Sequence, residues 1–73
     1  MLQKKVEETL RSAVVQADTM LQRQEDLFSL LYTLDASIKY GNENDVDLTA
    51  EARQYKTRLH VIRSICVYQL VRT

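Results

Sequence analysis

The sequence contains no proline and only one glycine, Gly41, so it lacks the residues that most often interrupt helices. Strands are also disfavoured, because no segment alternates apolar and polar residues over the length of a strand. Leucine, alanine, glutamine, glutamate, lysine and arginine dominate the first half of the chain, and these residues are strong helix formers. The composition therefore predicts an all-α protein.

Cysteine and histidine are almost absent, which excludes the cross-links that stabilise many small proteins. Cys66 is the only cysteine, so the chain cannot form an internal disulfide. Cys66 and the single histidine, His60, cannot make a structural zinc site without ligands from another chain. A chain of 73 residues has a marginal core, so we expect one domain that depends on helix packing within or between chains.

An excess of charge of one sign and long hydrophobic runs are missing as well. Ten basic residues balance ten acidic ones, which argues against the positive charge typical of a nucleic-acid-binding protein. No apolar run approaches the roughly 18 residues of a membrane span. Acidic residues, rather than the apolar segment of a signal peptide, follow Lys4 and Lys5. We expect a soluble cytoplasmic protein, where a lone cysteine stays reduced.

The first forty residues carry one long helical pattern. Apolar residues recur at alternating steps of three and four from Val6 to Ile38, with Gln24 as the polar exception, and Phe28 belongs to a flanking apolar row. This pattern predicts one amphipathic helix over about residues 2–40. A break at Asp18-Thr19 is the alternative, because an aspartate can cap a new helix.

A polar segment, residues 41–47, separates this helix from a second one. Gly41 follows the last apolar position, where a left-handed glycine often ends a helix. The asparagines and aspartates after it favour turns, and either Asp47 or Thr49 can cap a second helix over about residues 48–72. The predicted fold is a two-helix antiparallel hairpin, coiled-coil-like, that a partner chain or a second copy completes.

The last third of the chain is more apolar than one face of a helix requires. Between Leu59 and Val71, apolar residues form two adjacent stripes and extend beyond them, and a two-helix chain cannot cover so wide a face. Contiguous exposed apolar surface usually marks a site for a partner protein. The predicted partner-binding residues are Tyr55, Leu59, Ile62, Ile65, Cys66, Tyr68 and Leu70.

Other residues that could carry chemistry form no recognisable site. The acidic segment 42–47 does not provide the ligand pattern of an EF-hand. His60 is predicted to face solvent without a second metal ligand, and Cys66 is predicted to be a small buried hydrophobe rather than a nucleophile. A two-helix chain also cannot enclose a substrate cavity. The sequence therefore predicts no enzyme activity and no catalytic, cofactor or metal site.

Most of the chain has the layout of a known family, and residues 47–70 share its pattern of a polar turn followed by an apolar helix. The residues that carry the likeness are Ala52, Arg53, Gln54 and Tyr55, followed by Ile62, Ile65, Cys66 and Tyr68. In these features the chain resembles the small helical-hairpin co-chaperones of bacterial type III secretion systems. The resemblance implies a bacterial cytoplasmic protein that pairs with a helical-repeat chaperone and holds the needle subunit before export.

A self-assembling protein is the alternative from another functional class. Two hairpins can pack face to face as a homodimeric four-helix bundle, with Gln24 fixing the register as buried polar residues do in coiled coils. Such a dimer would be structural or regulatory, and a basic face on the second helix would let it touch DNA phosphates. The basic residues of that helix are Arg53, Lys56, Arg58, Arg63 and Arg72. The balanced charge favours protein contact over nucleic-acid binding.

Overall fold

The computed structural model describes residues 2–24 and 26–72, which fold as a bundle of three α-helices. The elements are α1 at Leu2–Gln22, α2 at Leu27–Glu43, a short 3₁₀ helix at Asp45–Asp47, and α3 at Ala50–Arg72. The described residues contain no strand, which confirms the all-α prediction. The two-helix hairpin is wrong, because the predicted first helix is divided into α1 and α2.

A turn at Arg23 and Gln24 makes this division. Gln24 has a left-handed backbone with a φ of 52°, and its N–H donates to the Leu21 carbonyl over 3.2 Å. A left-handed residue interrupts the helical ladder of hydrogen bonds, so a continuous helix cannot pass this point. Gln24 therefore ends a helix instead of occupying a coiled-coil seam. The alternative break is also wrong, since Asp18-Thr19 lies within α1.

Side-chain caps start both later helices. The Asp26 carboxylate accepts hydrogen bonds of 3.0 and 3.3 Å from the backbone N–H groups two and three residues further on. These bonds satisfy donors that α2 leaves without helical partners. At the start of α3, the Thr49 hydroxyl accepts from the Ala52 N–H at 3.1 Å. Of the two predicted caps for this helix, Asp47 and Thr49, the structure uses Thr49.

Gly41 lies inside α2 rather than after its end. The helix continues to Glu43, and the φ of Gly41 is outside the left-handed region, so the predicted glycine C-cap is wrong. Gly41 is buried where α2 meets the other two helices. A Cβ built on it would lie 3.5 Å from Lys56 Cδ and 3.6 Å from Leu10 Cδ2. These are ordinary van der Waals distances, so the packing does not require a glycine.

The helices run up, down and up, so that α1 is parallel to α3 and α2 is antiparallel to both. Four contacts define this arrangement: Glu7 with Thr49, Asp18 with Arg58, Asp35 with Arg63, and Leu27 with Cys66. α3 packs against both other helices more extensively than they pack against each other. The last helix of the chain is therefore the central support of the bundle.

The core runs along the bundle and draws on every helix. Its buried apolar residues are Val6, Leu10, Ala17, Leu30, Leu34, Ile38, Leu48, Ala52, Leu59, Ile62 and Cys66. Cys66 was predicted to be buried and His60 to face solvent, and the structure confirms both predictions. Within the described part of the chain, no helix combines the length and the hydropathy that crossing a membrane would need.

Candidate protein-binding surface

The structure divides the seven predicted partner-binding residues between core and surface. Leu59, Ile62 and Cys66 are in the core with no exposed surface, Tyr55 and Leu70 are half-buried against it, and Ile65 and Tyr68 are exposed at 37% and 61%. Part of the wide apolar face of α3 is enclosed because two helices, α1 and α2, pack against it, whereas the prediction had only one. Leu59, Ile62 and Cys66 therefore stabilise the chain's own fold, and Ile65 and Tyr68 are the predicted residues that its surface exposes.

Exposed apolar side chains are concentrated at the end of the bundle that contains the α1–α2 turn and the last turns of α3. The residues of this surface, named the apolar end below, are Phe28, Tyr32, Ile65, Tyr68 and Val71, and Val61 extends it towards the middle of α3. The other large exposed apolar residues described are Leu2 and Val46 at the opposite end, and Val15 in the middle of α1. Single exposed apolar residues are normal on protein surfaces, whereas a concentration of them marks an interaction site.

Tyr68 and Val71 of the apolar end are exposed because the last turns of α3 extend past the helices that cover it. Asp18, four residues before the end of α1, lies beside Arg58. Because the two helices are parallel, α1 ends near the level of Ile62. Leu27, the first residue of α2, accepts a hydrogen bond from the Cys66 thiol at 3.3 Å. The residues of α3 beyond Cys66 therefore project past both neighbours.

The apolar end presents two helical stripes. Val61, Ile65 and Tyr68 recur at steps of four and three, so they lie on one face of α3. Phe28 and Tyr32 lie one turn apart on α2 and are 74% and 80% exposed. Three of these five side chains are aromatic, and aromatic residues are enriched at protein interfaces. Each stripe therefore has the spacing of a surface that packs against a helix.

Phe28 and Tyr32 are the residues that sequence reasoning missed. The heptad pattern places Phe28 beside the apolar seam, but α2 begins anew after its Asp26 cap and therefore has a different rotational phase. Its buried face is formed by Leu30, Leu34, Ile38 and Gly41. The available signal was Asp26 directly before an apolar run, which is a typical helix start.

Ion pairs engage most of the basic residues of α3. Arg53 and Lys56 lie 3.6 and 3.8 Å from Asp45, Arg58 lies 3.1 Å from Asp18, and Arg63 lies 2.6 Å from Asp35. Each pair joins α3 to another element of the bundle, although such exposed pairs contribute only about 0–1 kcal/mol. The acidic partners offset the positive charge of this face, which makes it a weaker attractor of phosphates than the sequence indicates.

A cleft of about 480 Å³ opens at this end of the bundle, lined by Gln24, Leu27, Gln69 and Arg72. Leu27 is half-buried and supplies an apolar wall. The two glutamines carry amide groups, and Arg72 carries the positive charge. The Arg72 guanidinium carbon lies 5.5 Å from the centroid of the Tyr68 ring, a cation–π distance. The hydrogen-bond donors of the cleft therefore lie next to Tyr68, an aromatic residue of the apolar end.

The thiol of Cys66 is a packing group. Burial raises the pKa of the Cys66 thiol above its ordinary value; nearby Arg63 opposes this shift and Asp35 adds to it. The thiol stays protonated at neutral pH, and a protonated thiol is a poor nucleophile. Among the residues described, no three or more histidine, cysteine, aspartate or glutamate side chains are grouped so that they could hold a metal ion.

Comparison with known proteins provides no relative whose role could be transferred to this chain. No family model matches it, and no curated protein or solved structure matches it significantly. The surface geometry described above is therefore the basis for a functional proposal.

Proposed function

We propose that this chain is a non-enzymatic protein-binding module that docks a helical segment of another protein on the apolar end. The observation that carries the proposal is the concentration of Phe28, Tyr32, Ile65, Tyr68 and Val71 at one end of a small bundle. Fully burying a large apolar side chain contributes about 1.5–3 kcal/mol. A few such anchors provide most of the binding free energy in typical interfaces.

The arrangement of the stripes favours a helical partner. Amphipathic helices are bound through residues spaced at three and four positions, which is the spacing of the stripes on α2 and α3. The roles can also be reversed: a groove between two helices of a repeat protein can bind the exposed end of α3 through the same helical spacing. Both kinds of partner would cover the residues of α3 that project beyond Cys66.

In its most specific form, the proposal is a type III secretion co-chaperone in the bacterial cytoplasm. The helices α2 and α3 form an antiparallel pair joined by the polar turn, which is the part of the chain that resembles this family. The partner would be a helical-repeat chaperone, and the complex would hold the needle subunit before export. Partner binding would also stabilise a small bundle by mass action.

Coexpression with the helical-repeat chaperone and needle subunit encoded in the same genome tests this form. Size-exclusion chromatography with light scattering should show a complex that Tyr68→Asp abolishes. Val46→Asp is the matched control, because Val46 is 90% exposed at the opposite end of the bundle. Tyr68 is a better test position than Ile65, since Ile65 is only 37% exposed and its replacement by aspartate would also disturb the fold.

The possible outcomes separate the parts of the proposal. A complex that survives Tyr68→Asp would show that the binding surface lies elsewhere. A failure of the wild-type chain to bind the chaperone would reject the co-chaperone form. A mass of two copies for the chain alone, reduced to one by Tyr68→Asp, would identify a homodimer as the occupant of the apolar end.

A further inference from the structure

Arg72 is placed differently from the other basic residues of α3. The other four each have a side-chain nitrogen within 3.8 Å of an aspartate oxygen. In the part of the chain that the structure describes, Arg72 forms no ion pair and instead lies over the ring of Tyr68 at 5.5 Å. Among the described residues, no carboxylate therefore pairs with Arg72, which lies beside the exposed ring of Tyr68.

The surroundings of Arg72 match the chemistry of a carboxylate. A guanidinium group can bind both oxygens of a carboxylate through two parallel hydrogen bonds. The amides of Gln24 and Gln69 line the same cleft and offer further N–H donors. Asp26, the acidic residue directly before Leu27, already accepts two backbone hydrogen bonds as the cap of α2.

The apolar wall of the cleft adds a second requirement. Leu27 is half-buried and can contact the methylene groups of an acidic side chain. Tyr68 holds the Arg72 guanidinium against its ring, so less conformational freedom is lost when the carboxylate binds. The cleft is thus suited to a carboxylate attached to an apolar segment, rather than to a free, strongly hydrated anion.

We infer that the cleft formed by Gln24, Leu27, Gln69 and Arg72 recognises a glutamate or aspartate side chain on the partner's apolar helix. This inference rests on the proposed function and adds the chemical class of the partner segment. The stripe of Ile65 and Tyr68 on α3, which Arg72 continues one turn further, contacts the apolar residues of that segment, and Arg72 selects the acidic residue beside them. Arg72 is therefore the specificity-determining residue of the apolar end.

Synthetic amphipathic peptides test the inference with the intact chain. Their ends are acetylated and amidated, leucines occupy positions i, i+3, i+4 and i+7, and a glutamate or a glutamine flanks the leucine stripe. Amidation removes the terminal carboxylate, so the two peptides differ only in a side-chain carboxylate. Fluorescence anisotropy should show about fivefold tighter binding of the glutamate peptide. The ratio should fall in about 0.5 M NaCl, because salt screens the attraction.

Three variants assign the effect to Arg72. Arg72→Gln should bind both peptides equally, and Arg72→Lys should restore part of the preference because the charge returns without the planar fork. Arg53→Gln is the matched control, since Arg53 lies near the opposite end of α3 beside Asp45. Circular dichroism confirms that each variant is folded. A preference that persists in Arg72→Gln would overturn the assignment.

The binding pattern of the wild-type chain separates this inference from the proposed function. Equal binding of the two peptides, weakened in both by Tyr68→Asp, would overturn carboxylate recognition and leave the protein-binding module standing. No binding of either peptide at any salt concentration would overturn both. A glutamate preference that Tyr68→Asp and Arg72→Gln each remove would support both.

Discussion

A glycine at position 24 should make the protein more stable, although the same change inside a helix would weaken it. Gln24 has a φ of 52°, a left-handed conformation that costs a residue with a side chain about 1–2 kcal/mol. Glycine adopts this conformation without that cost, but it loses more backbone entropy on folding, which offsets about 0.5–1 kcal/mol. The free energy of unfolding of Gln24→Gly should therefore rise by about 0.5–1 kcal/mol.

The sign of this change distinguishes the three-helix bundle from a continuous first helix. Within a helix, glycine is less favourable than glutamine by roughly 0.5–1 kcal/mol.

Asp26→Ala tests the same turn, and it should lower the stability where Gln24→Gly raises it. Removing the Asp26 carboxylate eliminates the hydrogen bonds of 3.0 and 3.3 Å that cap α2, at a cost of about 1 kcal/mol. In a continuous helix, alanine would instead be the better helix former.

Urea unfolding followed by far-UV circular dichroism measures both changes. For a protein of this size the free energy of unfolding falls by about 1 kcal/mol per molar urea. The midpoint should rise by about 0.5–1 M for Gln24→Gly and fall by about 1 M for Asp26→Ala. A lower midpoint for Gln24→Gly, together with an unchanged or higher midpoint for Asp26→Ala, would refute the turn at Arg23 and Gln24.

Two further predictions concern Gly41 and Cys66. Gly41→Ala should raise the free energy of unfolding by about 0.5–1 kcal/mol, because the position is helical and the added Cβ meets Lys56 and Leu10 at ordinary contact distances. A lower urea midpoint would instead show that this contact is too crowded. Burial raises the pKa of the Cys66 thiol, so its stabilisation is complete below the unfolded-state pKa of about 8.5 and is lost as pH rises above it. Urea midpoints from pH 7 to pH 10 should therefore fall more steeply for the wild type than for Cys66→Ala, and identical slopes would contradict this burial effect.

Periodicity was sufficient to predict α3 but not the turn before α2. The second helix was predicted over about residues 48–72 and lies at Ala50–Arg72, because the polar segment before it has strong turn chemistry. The sequence from 23 to 26 contains neither glycine nor proline, and apolar residues continue at helical spacing across it. Packing of the three helices places Gln24 in the left-handed conformation, and the intrinsic helix propensity of glutamine does not predict this.

The location of the apolar surface was easier to predict than its composition. The excess of apolar residues after Leu59 follows from the sequence alone, yet the separation of Ile62 from Ile65 depends on how many helices cover α3 and at what rotation. Arg72 illustrates the same limit. The sequence groups it with four other basic residues of α3, and only the pairing of those four with aspartates distinguishes it.

The parallel arrangement of α1 and α3 makes folding of the bundle depend on the helix that is synthesised after the other two. Glu7 meets Thr49 and Asp18 meets Arg58, so α1 gains these contacts only after about forty more residues have been synthesised. Before α3 leaves the ribosome, α1 and α2 have only their limited contact with each other. A nascent chain that stops before Leu59 lacks the central core side chains of α3, and it would expose Leu10, Leu30 and Leu34 to proteases and chaperones.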